Sequence, residues 1–141
     1  MENTLVRDIM QEKLVTISAG DSLSTVEDIM RLGGVRHMPV VHGGKLVGVV
    51  SERDLLRISL SNLNESGSEE RRAFLHALEI GRAMSTPPIV IEPFATVEKA
   101  ALLLAEHKIG CLPVVDGDEL VGMVTATDVL LHFAGVPPGR S

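Results

Sequence analysis

The chain has 141 residues, 45% of them apolar and 23% charged, the composition of a folded globular chain rather than a disordered one. Its formal net charge of −6 argues against a nucleic-acid binder, which needs a basic face to neutralise several phosphates. No apolar run nears the roughly eighteen residues needed to cross a bilayer. Glu2, Arg7 and Asp8 disfavour a signal peptide, and the single cysteine, Cys111, precludes an internal disulfide, so a cytoplasmic location is expected.

The first expected element is a short β-rich run, Leu14-Val15-Thr16-Ile17. A helix follows, opened by Ser22, whose hydroxyl suits the free N–H groups of a first turn. Leu23, Val26, Ile29 and Met30 recur at helical spacing and give that helix one apolar face. Two apolar runs then flank the turn His42-Gly43-Gly44-Lys45, where glycine supplies the positive φ that hairpin turns often demand. A second helix starts near Ser51 and carries Leu55-Leu56. Ser59 to Glu70 is polar and reads as a loop; Arg71 to Glu79 reads as a short helix with Phe74, Leu75 and Leu78 on one side.

The same series then recurs: Ile89-Val90-Ile91, a helix opened by Thr96 with Val97, Ala100, Ala101 and Leu104 apolar, and a hairpin turning at Asp116-Gly117-Asp118-Glu119. A last helix starts near Thr125 and carries Val129-Leu130, and Gly135 to Ser141 reads as a frayed tail. A shift of 74 residues superposes the two copies without a gap. It sets Met38-Pro39-Val40-Val41 on Leu112-Pro113-Val114-Val115, Asp54 on Asp128 and Met10 on Met84, with ten identities in the eighteen pairs from position 39 to 56. A unit of this size buries too little surface to be comfortably stable alone, so two copies are expected to pack together. The expected fold is α+β (mixed α/β): two pseudo-twofold-related strand–helix–strand–strand–helix repeats, 5–60 and 80–134, packed sheet to sheet, with a linker at 61–79 and a flexible tail at 135–141.

Strand, helix, Pro-Val-Val strand, Leu-Val-Gly-Val/Met-Val and then Ser/Thr-x-x-Asp at a helix start resembles the CBS (cystathionine-beta-synthase) repeat, and the tandem resembles a Bateman module. The resemblance covers about residues 5–134 and implies a free-standing regulatory or energy-sensing module, not an enzyme. It implies an adenosine-containing ligand (AMP, ADP, ATP or S-adenosylmethionine) in clefts between the repeats, no required cofactor, no metal, a homodimer, an unidentified regulated protein, and neither nucleic acid nor membrane as partner. In the first cleft it implies contacts from Thr16, Ile17, Val35, Arg36, His37, Met38, Pro39, Ser51, Arg53 and Asp54. In the second it implies Val90, Ile91, Lys108, Ile109, Gly110, Cys111, Leu112, Pro113, Thr125, Thr127 and Asp128. Asp54 and Asp128 would each accept from the two ribose hydroxyls, a match to an acceptor-only carboxylate. The helix starts would add N–H groups for phosphate. Val35, Met38, Ile109 and Leu112 would supply an aliphatic sandwich for the base, since the chain has only three phenylalanines and no Trp or Tyr.

Plainer readings stand beside these. Ser51-x-x-Asp54 and Thr125-x-x-Asp128 also fit a capping box, in which the acid reaches back to the cap N–H. Arg36 and Arg53 suit phosphate but also a solvated turn, and their counterparts Gly110 and Thr127 carry no charge, so two clefts would not be equivalent. The five histidines lack metal-ligand spacing, Asp116-Gly117-Asp118 lacks the later ligands of a calcium loop, and Cys111 reads as core. No Ser-His-Asp set, Walker A loop or G-x-G-x-x-G is evident. The competing function is a ligand-independent dimerisation or scaffolding module.

Overall fold

The protein is described by a computed structural model over residues 3–60 and 83–138. Ser59 and Leu60, expected to open a loop, are helical; the rest of that loop, to Glu70, and the helix expected from Arg71 to Glu79 lie outside the described residues. In chain order the elements are α1 (Val6–Ile9), β1 (Ile17–Ser18), α2 (Leu23–Gly33), β2 (His37–His42), β3 (Lys45–Ser51), α3 (Glu52–Leu60), α4 (Val97–His107), β4 (Cys111–Asp116), β5 (Glu119–Thr125) and α5 (Ala126–Phe133). The mixed α/β class read from the repeats is the class observed.

Local chemistry starts and stops these elements. The Ser22 hydroxyl accepts the Thr25 N–H at 3.3 Å and the Thr96 hydroxyl accepts the Lys99 N–H at 3.1 Å, satisfying one orphan donor of each first turn. Both helices end on a left-handed residue, Gly34 at φ 67° and Lys108 at φ 54°. Gly34 adopts that conformation freely, whereas Lys108 holds it against a steric penalty of about 1–2 kcal/mol. The hairpins match position for position. His42 pairs with Lys45 and Asp116 with Glu119, and the register slips once in each, between Val40 and Val41 and between Val114 and Val115. Gly43 and Gly44 both take positive φ, while the second turn has only Gly117 there, two solutions to the same two-residue loop.

The leading strands are shorter than expected. β1 keeps only Ile17 and Ser18, parallel to Val40 and Val41. Ile89-Val90-Ile91 contributes one bridge, Ile91 to Val114. Prolines at 87, 88 and 93 flank that second run and lack the N–H that a longer ladder needs.

The chain divides into two compact units whose composition differs from that of the sequence repeats: one holds residues 1–14 with 89–141, the other residues 15–88. In the first unit α1 is tied down by Val6 N–H to Ala95 O at 2.8 Å and Arg7 N–H to Pro93 O at 3.0 Å. Val6 and Ile9 join Ile91, Val97, Ala100, Leu104, Leu112, Val114, Val124 and Val129 in its core. The core of the other unit is Ile17, Leu23, Val26, Met30, Met38, Val40, Val50 and Leu55.

One joint is built in both units. Gln11 and Met123 exchange backbone hydrogen bonds at 2.8 and 2.9 Å, and Ser85 and Val49 do the same at 3.2 and 2.8 Å. Met10 lies over Gly122 and Met84 over Gly48. These are the pairs that the 74-residue shift relates. Each unit therefore takes the strap that precedes one repeat and the hairpin of the other.

Candidate functional site

Each hairpin delivers its second strand straight into a helix, and the candidate residues gather at that step. In the unit of residues 15–88, His37 pairs with Ser51 across β2 and β3, and the Glu52 N–H donates to Arg36 O at 2.8 Å. Arg36, His37 and Met38 therefore run beside Ser51, Arg53 and Asp54. In the other unit Cys111 pairs with Thr125, and the Ala126 N–H donates to Gly110 O at 2.8 Å. Gly110, Cys111 and Leu112 thus run beside Thr125, Thr127 and Asp128. Ile17 and Ile91 face their units' cores, so they offer a ligand only backbone, while Thr16 and Val90 are exposed.

Both acidic motifs close as capping boxes. Asp54 Oδ2 accepts the Ser51 N–H at 2.9 Å while the Asp54 N–H donates to Ser51 Oγ at 3.1 Å. The second copy repeats this at 2.8 and 3.1 Å between Asp128 and Thr125. A carboxylate offers about four lone-pair sites, so the cap leaves each Asp capacity for further donors. The neighbours differ. Asp54 Oδ1 lies 3.8 Å from Arg57 Nη1, whereas the Gln11 amide nitrogen lies 3.2 and 3.3 Å from the two oxygens of Asp128.

Two sequence expectations change. The helix starts offer fewer N–H groups to a phosphate than expected, because the amides of 52, 54, 126 and 128 are spent on Arg36 O, Ser51 Oγ, Gly110 O and Thr125 Oγ1. That leaves the Arg53 and Thr127 amides. Met38 and Leu112 are each 0% exposed and sit inside their cores, so their side chains are not free to sandwich a base. A residue paired to the far strand on the core side has no second face to present. Val35 and Ile109 are half-buried and keep that option; Pro39 and Pro113 are buried, and Arg36, Arg53 and Lys108 are exposed. A groove of about 340 Å³ between α2 and α3 is lined by Glu27, Met30, Arg31, Glu52, Leu55 and Leu56, none of them an expected contact.

His37 is the titrating group at this step. Burial holds its imidazole below the ordinary 6.5; Asp54 opposes that, and Arg36 and Arg53 add to it. Between its folded value and 6.5 the unfolded chain binds more protons, so stability declines as the pH falls below 6.5 and is fully present above it. His37→Gln is expected to remove this part of the slope. Denaturation midpoints compared at about pH 7.5 and about pH 5.5 should fall further for the unmodified chain; an equal fall in both proteins would refute this assignment.

Among the described residues no cluster of His, Cys, Asp or Glu is arranged to hold a metal, and no helix is long and apolar enough to cross a membrane.

The CBS domain family model matches residues 6–61 and 79–135. The chain is 35% identical over 129 residues to inosine-5′-monophosphate dehydrogenase of Korarchaeum cryptofilum, a match that covers 91% of this chain but spans 23% of that enzyme's length. In structure it is similar to the CBS domain pair of protein MJ0100 in complex with 5′-methylthioadenosine and S-adenosyl-L-methionine, with TM-score 0.81, 26% identity and coverage of 95% of this chain and 98% of that one. It is also similar to CBSX2 in complex with AMP, with TM-score 0.76, 28% identity and coverage of 94% and 97%. Two family matches in tandem, falling on the two copies of one strand–hairpin–helix pattern, place this chain in the CBS domain family as a CBS domain pair.

Proposed function

We propose that this chain is a regulatory module that binds an adenosine-containing ligand (AMP, ADP, ATP or a relative such as S-adenosylmethionine) in clefts between its two CBS repeats, and that it catalyses no reaction. Asp54 and Asp128 accept from the ribose hydroxyls. Backbone at Thr16-Ile17 and Val35–Met38, or at Val90-Ile91 and Ile109–Leu112, reads the base. Arg36, Arg53 and Lys108 meet the phosphates. The observation that carries this reading is the repeated step from strand into helix, with a hydroxyl-x-x-Asp motif beside the start of the neighbouring strand. Two similar CBS pairs carry AMP or S-adenosylmethionine and 5′-methylthioadenosine, which supports the ligand class. Signalling further requires that the ligand prefer one conformation over another, and a homodimer acting on a partner in the cytoplasm is the setting we propose for it.

The test must separate ligand contact from capping. Asp→Ala removes the half of the capping box that holds the Ser51 or Thr125 N–H, and so destabilises the helix start with no ligand present. Asp→Asn keeps an oxygen for the cap N–H while removing the charge that a ribose diol seeks. AMP, ADP, ATP and S-adenosylmethionine are titrated into protein refolded free of carried-over ligand. A ligand at about 100 times its Kd is expected to stabilise the fold by about 2.7 kcal/mol. Asp54→Asn and Asp128→Asn together should abolish that gain. Absence of any thermal shift across the panel would overturn the reading.

One observation favours a second reading. Both carboxylates already close capping boxes, and Leu32, Leu56, Leu102, Leu130 and Phe133 are exposed on helices. A ligand-independent dimerisation module would use those side chains and would show the same oligomeric state with and without AMP.

A further inference from the structure

We infer that Gln11 is the residue that sets the affinity of the Asp128 site, by occupying the carboxylate edge that a ribose diol would use. This rests on the ligand reading above. The Gln11 amide nitrogen straddles Asp128, 3.2 Å from Oδ1 and 3.3 Å from Oδ2. Oδ2 also accepts the Thr125 N–H at 2.8 Å. With the cap on one side of Oδ2, the edge shared by both oxygens is where two adjacent hydroxyls would each find an acceptor. One neutral amide already spans it.

The strap holds that amide in place. Gln11 exchanges two backbone hydrogen bonds with Met123, and Met10 rests on Gly122, so the Gln11 backbone is fixed relative to β5, which runs directly into Asp128's helix. In the other unit the 74-residue shift puts Ser85 at this position, also paired through its backbone with Val49. A serine side chain is too short to copy the bridge, and Asp54 instead has Arg57 3.8 Å from Oδ1. The two carboxylates thus differ in kind: the Asp54 edge faces a loose cation, and the Asp128 edge is filled. A ligand enters the Asp128 site only by displacing the Gln11 amide, so the Asp54 site fills first.

The experiment uses the full chain with Asp54→Asn, so that the remaining binding depends on Asp128. AMP and 2′-deoxy-AMP are titrated calorimetrically into this background with Gln11 intact, with Gln11→Ala and with Gln11→Ser, which copies the other unit. Displacing one exposed hydrogen bond of ordinary net strength, as the 3.2–3.3 Å Gln11–Asp128 contact is, corresponds to roughly a two- to tenfold change in affinity. Gln11→Ala and Gln11→Ser are expected to tighten AMP by that factor, and to tighten 2′-deoxy-AMP less because it lacks one of the two competing hydroxyls. Unchanged or weaker AMP binding in both variants, or an equal gain for the two nucleotides, would overturn the role of Gln11 and leave the ligand reading standing. If AMP binds neither the unmodified chain nor any Gln11 variant, the ligand reading fails and takes this inference with it.

Discussion

Gly48→Ala is expected to destabilise the fold by about 1–2 kcal/mol, although alanine is ordinarily the better residue in a strand. A Cβ at position 48 would stand 2.9 Å from the Ser85 carbonyl oxygen and 2.8 Å from Met84 Sδ. The thioether can swing aside, but the carbonyl belongs to a backbone segment held by two hydrogen bonds to Val49. Overpacking costs about 1–3 kcal/mol, and the restricted unfolded chain returns about 0.5–1 kcal/mol. A melting temperature lower by roughly 2–8 °C follows for a domain of this size. Gly122→Ala meets Met10 Sδ at 2.5 Å and the Gln11 carbonyl oxygen at 3.0 Å, so more of its strain is relieved by a flexible side chain and its loss should be smaller. Met84→Ala in the Gly48→Ala background should recover only part of the loss, because the carbonyl stays. A Gly48→Ala protein that melts at or above the unmodified temperature would show that the strap does not press on the hairpin.

Met38→Ala and Leu112→Ala are expected to cost about 2–5 kcal/mol each, the range for truncating a large side chain inside a packed core. Both are 0% exposed and surrounded by their own unit's apolar residues. Val35→Ala and Ile109→Ala, at half-buried positions, should cost much less while weakening AMP if the base lies on them. Chemical denaturation of all four, followed by AMP titration of those that fold, separates core from ligand contact. Equal stability losses at 38 and 35, or at 112 and 109, would contradict the division.

The candidate site was legible in part, for reasons that lie in particular residues. Ser51, Asp54, Thr125 and Asp128 stood out because a hydroxyl three residues before an acid is a local pattern, and a local pattern is realised by one turn of backbone. The same locality made its two meanings, cap and ligand contact, inseparable in the sequence. The cap is realised in both copies. Gln11 was not legible: it lies 117 positions from Asp128 and belongs to no motif. The alignment of Met10 with Met84 was the only hint that the straps preceding each repeat matter.

What the sequence determined by itself was everything that repeats at short range. The caps at Ser22 and Thr96, the helical faces, the glycine turns and the strand–hairpin–helix order follow from hydrogen-bonding groups and apolar spacing within a few residues of one another. Tertiary structure decided which strap joins which hairpin, which carboxylate is bridged, and that the side chains of Met38 and Leu112 lie in the core. Those outcomes depend on packing between segments tens of residues apart, where a methionine finds room only over a glycine and an amide reaches a carboxylate only once both strands are in register.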